Sequence, residues 1–148
     1  MKRTFVIILA AMAAVALFAW LVHMVLVAAH LSEPAATTVS GMTPRRLWAT
    51  AAMVLGLVAA VNGGLALRRS ARRMGDGHGR TVAKVALVAG LIAAINGALN
   101  LAIAKGGPGS GNGVIGGAAA LVLGLIAITL GGLALARSRR RLDANVAH

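Results

Sequence analysis

The chain has 148 residues, of which 59% are apolar and only 12% are charged. Soluble domains carry about a quarter charged residues, so this composition excludes an ordinary soluble globular core. The net charge of +12 does not point to a nucleic-acid partner, because the basic residues flank apolar runs and no aromatic residues alternate with them. The absence of Cys excludes disulfides and thiolate chemistry.

Four apolar runs are long enough to cross a bilayer, which requires about 20 helical residues. They predict an all-α fold, an integral membrane bundle of four transmembrane helices that forms a single membrane domain over residues 1–148. In chain order, the spans are expected at approximately 5–30, 47–67, 85–103 and 114–136. A basic loop at 68–84 joins the second and third spans, and a basic tail occupies 137–148.

The first apolar run follows a basic start, Met1-Lys2-Arg3, and a secretory signal peptide begins in the same way. Residues 27–29, Val-Ala-Ala, are an acceptable cleavage site. The run is longer than the 7–15 apolar residues of usual signal peptides, which favours an uncleaved first span. Cleavage stays open as the alternative.

Basic residues are distributed unequally between the two sides of the predicted membrane, with 12 on one side and three on the other. Cytoplasmic loops carry the excess of Lys and Arg. The sequence therefore predicts a multi-pass protein of the cell membrane with both termini cytoplasmic. The three exceptions are Arg45, Arg46 and Lys105.

The last three spans resemble one another at a constant period of about 34 residues, which predicts an internal repeat. The second and fourth match at 14 of 21 aligned positions over 53–73 and 121–141, including a trailing Arg-Ser-x-Arg-Arg. Two glycines keep their register in every copy, and these six are expected to pack helix against helix, because small residues let backbones approach in lipid. They are Gly56, Gly63, Gly90, Gly97, Gly124 and Gly131.

Three asparagines and one histidine are the candidate polar groups of the interior: Asn62, Asn96, Asn100 and His23. The asparagines are interpreted as structural hydrogen-bonding groups between helices. A midplane site for a small solute or ion is the alternative. His23 is an ionisable residue within a span, where function is the default hypothesis, but it is expected near the outer end and in neutral form.

The basic clusters explain the topology and also predict contact with anionic lipid headgroups. They comprise Arg68, Arg69, Arg72, Arg73, Arg137, Arg139, Arg140 and Arg141. No catalytic residue, metal site or cofactor is predicted, since no acid/base pair lies in the spans and no catalytic motif is present. We therefore expect no enzymatic activity.

The stretch 45–141, with its repeated glycine pattern in VLGLVAAVNGGLAL, VAGLIAAINGALNL and VLGLIAITLGGLAL, resembles a family of small membrane proteins of unknown function from actinomycete-type bacteria. The resemblance implies a bacterial inner membrane and brings no activity. The leading functional hypothesis is a structural or interaction protein that forms a homo-oligomer or binds another membrane protein. The alternative is a transporter or channel-like subunit.

Overall fold

The computed structural model describes residues 2–34, 36–71 and 77–146, and no strand occurs within them. Four helices follow in chain order: α1 (Lys2–Ala28), α2 (Pro44–Ala71), α3 (Gly77–Ile103) and α4 (Val114–Val146). The last three are long and apolar enough to cross a membrane, over Pro44–Ala71, His78–Ile103 and Val114–Arg140. Of α1, the segment Met12–Ala28 is also apolar but shorter.

The last three helices extend beyond the spans expected from the apolar runs, whereas α1 ends at Ala28, before the end of its expected span at 30. Residues 68–71 and 77–84, expected in a loop, are helical, and α4 continues well past 136 to Val146. The reason is that hydropathy marks where the chain leaves lipid, whereas backbone hydrogen bonding continues into the polar region. Arg and Ala, which are frequent in these extensions, are good helix formers in water.

The end of α1 is fixed by a Schellman motif. The amide of Leu31 donates to the carbonyl of Leu26 at 2.8 Å, and the amide of His30 donates to Val27 at 3.0 Å. His30 adopts φ 55°, the left-handed conformation that terminates helices. Leu26 and Leu31 are buried together against Leu101 and Val114, so the motif also anchors α1 to the rest of the bundle.

The three long helices form a compact bundle with defined directions. Gly56 faces Leu123 and Gly63 faces Leu130, so α2 and α4 run parallel. Along α3 the contacts run in the opposite order, with Gly90 against Gly124 and Gly97 against Gly117, so α3 is antiparallel to α4. The remaining helix, α1, packs chiefly on α4.

The core of the bundle is made mostly of alanine and glycine. Ala59, Ala86, Ala93, Ala120 and Ala127 are at most 2% exposed, and no large side chain is fully buried among the described residues. The large aliphatic side chains point outward on all three helices, with Val61, Ile95 and Leu125 at least half exposed. Such an arrangement suits lipid, where helices gain nothing from burying Leu against Leu and associate through close backbone packing.

The tightest contacts join α3 to α4. A Cβ atom on Gly97 would lie 2.5 Å from the backbone nitrogen of Leu121, and one on Gly124 would lie 2.5 Å from that of Ala94. Real Cβ atoms do not approach backbone this closely, so only glycine fits at these positions. The two backbones are as near as the chain allows.

Glycines on α4 offer a matched pair for testing this packing. We expect Gly124→Ala to destabilise the bundle by about 1–3 kcal/mol, the usual cost of overpacking, because its Cβ would strike the backbone of α3. Gly132→Ala on the same helix should cause no loss, since nothing lies within 4 Å of its Cβ position. Thermal unfolding in detergent measures both, and equal melting temperatures would contradict the packing described.

Candidate functional site

The amides of Asn62 and Asn96 bond to their own helices. The side-chain nitrogen of Asn62 donates to the carbonyl of Val58, and that of Asn96 to the carbonyl of Ile92, each at 2.8 Å. Both residues are partly exposed. Because α2 and α3 are antiparallel and Gly56 meets Ala93, the two amides lie about 13 Å apart along the bundle axis at 1.5 Å per residue. These are local bonds, not the expected bonds between helices.

Asn100 is the one buried polar residue in the described part of the chain, at 6% exposure. Its side-chain oxygen has no hydrogen-bond partner there. The side chain rests on Gly117, whose Cβ position lies 3.2 Å from the Asn100 Cβ and 3.4 Å from the amide oxygen. Gly117 therefore provides the space that the amide occupies between α3 and α4.

His23 is exposed on α1, as is Trp20 one turn earlier. It does not face the interior of the bundle that α2, α3 and α4 form. The structure therefore does not bring the four candidate polar residues together into one site.

The six repeat glycines are all buried. Gly90 lies against Gly124, and a Cβ on Gly63 would lie 3.4 Å from the nitrogen of Gly131. Gly56 and Gly97 instead contact alanine, leucine and glycine residues that are not among the six repeat glycines. Four of the six glycines thus contact one another directly across helices.

A polar assembly that the sequence did not predict lies where two connectors meet. The first comprises 31–34 and 36–43 and the second 104–113, and we name these segments the loop cap. The amide of Val39 donates to Gly109 at 3.0 Å, and the Thr43 hydroxyl donates to the carbonyl of Gly111. The same hydroxyl accepts from the Arg46 amide at 3.1 Å, so Thr43 caps the start of α2. One residue thus orders both a helix end and the neighbouring loop.

Two arginines at the start of α2 donate to backbone carbonyls in the loop cap and beside it. The Arg46 guanidinium donates to Gly41 at 2.6 Å and to Gly109 at 3.2 Å. The Arg45 guanidinium donates to Ile103 at 3.1 Å, at the C-terminus of α3, where the helix dipole favours a cation. In the sequence, these two arginines could have been singled out because they lie on the predicted side that is otherwise poor in basic residues.

Glycine conformations make the loop cap close enough for these bonds. Gly109 and Gly111 have φ 95° and 83°, which side-chain-bearing residues rarely adopt. The backbone of Gly107 passes so near the carbonyl of Glu33 that a Cβ would collide with it. The glycine-rich stretch 104–113 is therefore a specific structure held to the segment after α1.

A cleft of about 370 Å³ opens beside the loop cap, between the starts of α2 and α4. Arg46 is the only charged residue among the described residues that line it, and Thr50 adds a hydroxyl, which donates to the Arg46 carbonyl at 2.8 Å. The two hydrogen bonds of the guanidinium to loop carbonyls indicate that Arg46 is primarily structural here.

The opposite end of the bundle carries exposed cations from all three long helices. We name it the basic end and define it by Arg68, Arg69, Arg80, Lys84, Arg137, Arg139 and Arg140, all exposed. Just inside it, Ala66, Ala83 and Ala134 form a buried cluster that holds the three helices together. Of the other arginines expected here, Arg72, Arg73 and the side chain of Arg141 lie outside the described residues.

These features belong to a helical protein with three membrane-type helices packed through small residues. Comparison with known proteins matches residues 44–142 to DUF6223, a family of unknown function. The chain belongs to this family. The match covers α2, α3 and nearly all of α4, and agrees within one residue at each end with the stretch whose glycine pattern suggested a family of unknown function.

No match was found among curated proteins or among solved structures. The family brings no activity with it.

Loss of the Arg46 guanidinium should loosen the loop cap. We expect Arg46→Gln to speed amide hydrogen exchange in 104–113 by roughly tenfold, as expected if about 1.4 kcal/mol from two charge-assisted hydrogen bonds is lost. Lys105→Gln is the control, because it also removes one positive charge, here from 104–113 itself, and the Lys105 side chain is exposed. Equal exchange in the two variants would show that charge, and not the guanidinium bonds, stabilises the loop cap.

Proposed function

We propose that the protein is a structural or interaction protein of the membrane, whose role depends on a rigid bundle packed through glycine and alanine. The observation that carries this proposal is the contact of α3 with α4. Backbone approaches that only glycine permits occur at Gly97, at Gly124 and again at Gly131. A bundle so close over its length is suited to holding a fixed shape.

Transport of a small solute through the bundle is the second candidate function, and one observation favours it. The orphaned side-chain oxygen of Asn100 is an unpaired acceptor in the interior, and buried polar groups normally have partners. Against transport, Asn62 and Asn96 use their amides on their own helices. The spans also contain no Asp or Glu, so a proton-coupling carboxylate is lacking.

We propose further that α1 is a fourth span, which makes both ends of the chain cytoplasmic. Its 27 residues over Lys2–Ala28 correspond to about 40 Å of helix, enough for a bilayer core. The excess of Lys and Arg at the basic end supports a cytoplasmic position for that end. The glycine pattern, through its resemblance to small membrane proteins of actinomycete-type bacteria, supports a bacterial inner membrane as the location.

Duplication of one ancestral helix is the proposed origin of α2, α3 and α4, each copy following the last at the same period. The register in which α2 packs on α4 supports this origin. Gly63 meets Gly131, which is its equivalent two periods later. Equivalent positions of two copies therefore occupy equivalent depths in the bundle.

The proposed partners are the bilayer itself and another membrane-embedded surface. The basic end would contact anionic headgroups, with roughly 1 kcal/mol of attraction per basic residue near the surface. The outward-facing aliphatic side chains would contact lipid, a second copy of the chain or another membrane protein. The proposal includes no catalytic role, no cofactor and no nucleic-acid ligand.

Reporter fusions test the proposed topology. Fusions after Leu31, Arg80, Gly109 and His148 should report outside, inside, outside and inside, as the asymmetry of Lys and Arg requires. A cytoplasmic signal at Gly109 would contradict the topology. An outside signal from a reporter placed before Met1, with the other four unchanged, would contradict only the fourth span.

Adjacent buried residues on α3 test whether the interior is structural. We expect Asn100→Ala to change the free energy of unfolding by less than about 1 kcal/mol, because removing an unpaired buried carbonyl offsets the lost packing. Leu101→Ala, at a position that is 8% exposed, should cost about 2 kcal/mol or more. Chemical unfolding in detergent measures both changes.

The contrary result would be a cost at Asn100 equal to that at Leu101. It would mean that the amide has a partner in the membrane. Proton-driven uptake of a cationic dye by liposomes containing the protein, lost in Asn100→Ala, would then favour the transport hypothesis.

A further inference from the structure

We propose that the basic end is a binding site for a lipid whose headgroup carries two phosphates, held between the arginines of α2 and those of α4. The inference rests on the proposed membrane position of the bundle and names the class of anionic lipid. It depends on the way the fold brings together Arg69 of α2 and Arg137 of α4, which are far apart in the sequence.

The parallel packing of α2 and α4 places these segments at the same level. A Cβ on Gly63 would lie 3.1 Å from the Cβ of Leu130, so the two helices meet nearly in the register of their repeat. One turn before the arginines, Ala66 and Ala134 belong to one buried cluster. Continuing both helices by one turn sets Arg69 level with Arg137.

Close helix packing keeps the two arginines within reach of one ligand. Packed helices have axes about 8–10 Å apart, and contacts through alanine and glycine favour the lower part of this range. Arg69 and Arg137 are both exposed, so their guanidinium groups are free to lie in the headgroup layer. Each guanidinium can donate two parallel hydrogen bonds to one phosphate.

The antiparallel helix α3 adds two more cations beside the pair. Ala83 completes the buried cluster with Ala66 and Ala134, and Arg80 and Lys84, on either side of Ala83 in the sequence, are exposed. In the basic loop 68–84 and the basic tail 137–148, the only acidic residues of the sequence are Asp76 and Asp143. A concentration of like charge repels itself, and a ligand with two negative groups relieves that repulsion at two points at once.

A doubly charged headgroup fits this geometry better than two separate lipids. Once one phosphate is bound to the arginine of α2, the second phosphate is already close to the arginine of α4. Its binding is then intramolecular, with a high effective concentration. Two singly charged lipids would each lose this advantage and would also repel one another.

The test is lipid binding by purified full-length protein in nanodiscs of neutral phosphatidylcholine. Cardiolipin, with two phosphates, is titrated against phosphatidylglycerol supplied at the same total phosphate. We expect cardiolipin to bind at least fivefold more tightly per phosphate. Arg69→Gln and Arg137→Gln should each weaken cardiolipin binding about fivefold, the factor corresponding to one basic residue at an anionic surface, and should each abolish the preference.

Lys105→Gln is the matched control, since it removes one positive charge from the loop cap and should leave cardiolipin binding unchanged. Equal binding of cardiolipin and phosphatidylglycerol per phosphate would overturn the two-phosphate site while leaving general headgroup contact intact. Binding of neither lipid would overturn both. The thermal unfolding of the Gly124 and Gly132 variants judges the structural role of the bundle separately.

A soluble molecule with two phosphates is the other ligand that could occupy the same arginines. Inorganic pyrophosphate, added to the protein in neutral nanodiscs, is the probe for it. We expect at least tenfold weaker binding than for cardiolipin at equal concentration, because a lipid is already confined to the membrane surface. Pyrophosphate binding as tight as that of cardiolipin, and lost in Arg69→Gln, would overturn the lipid assignment.

Discussion

Direct backbone contact between α3 and α4 is the constraint from which the rest of this structure follows. At Gly97 and Gly124 a Cβ would lie only 2.5 Å from the neighbouring backbone, so the two helices are too close there for any residue but glycine. At that separation no large side chain fits between them, so the core consists mostly of alanine and glycine. Most of the bulky aliphatic residues are left on the outer surface. An inside-small, outside-large distribution is stable in lipid because lipid solvates Leu as well as a protein core does.

The same closeness determines the two ends of the bundle. At one end, short connectors must turn tightly, and positive φ at Gly109 and Gly111 brings backbone carbonyls near the start of α2. At the other end, the three helices leave the apolar region still packed around Ala66, Ala83 and Ala134. Their cations are consequently gathered on one small surface.

The helices and their buried faces could be predicted from the sequence, whereas helix ends and hydrogen bonds could not. A glycine that recurs at one register in three apolar copies has few explanations other than packing, and Gly56 and Gly124 do lie at helix contacts. The repeat itself stays a prediction, which the register of α2 on α4 supports.

Hydropathy changes at the lipid boundary while backbone hydrogen bonding does not, so the apolar runs do not predict where the helices end. An Asn side chain can donate a hydrogen bond to a carbonyl of its own helix or of a neighbouring helix. The Asn62 amide donates to a carbonyl of its own helix. The bond from Thr43 to Gly111 joins distant positions, and nothing in either local sequence indicates the other.

Arginine has two different uses at the two ends of this bundle, and the difference bears on how charge asymmetry should be weighed. At the loop cap, Arg45 and Arg46 give hydrogen bonds to backbone carbonyls of the connectors and of α3, and Arg45 in addition lies at the negative end of the α3 dipole. These two cations are exceptions to the topology signal because the fold needs their donors. At the basic end, Arg69 and Arg137 are exposed, so in the proposed membrane position their donors can serve lipid headgroups. A simple count of 12 against 3 therefore understates the asymmetry in charge that is free to act on lipid.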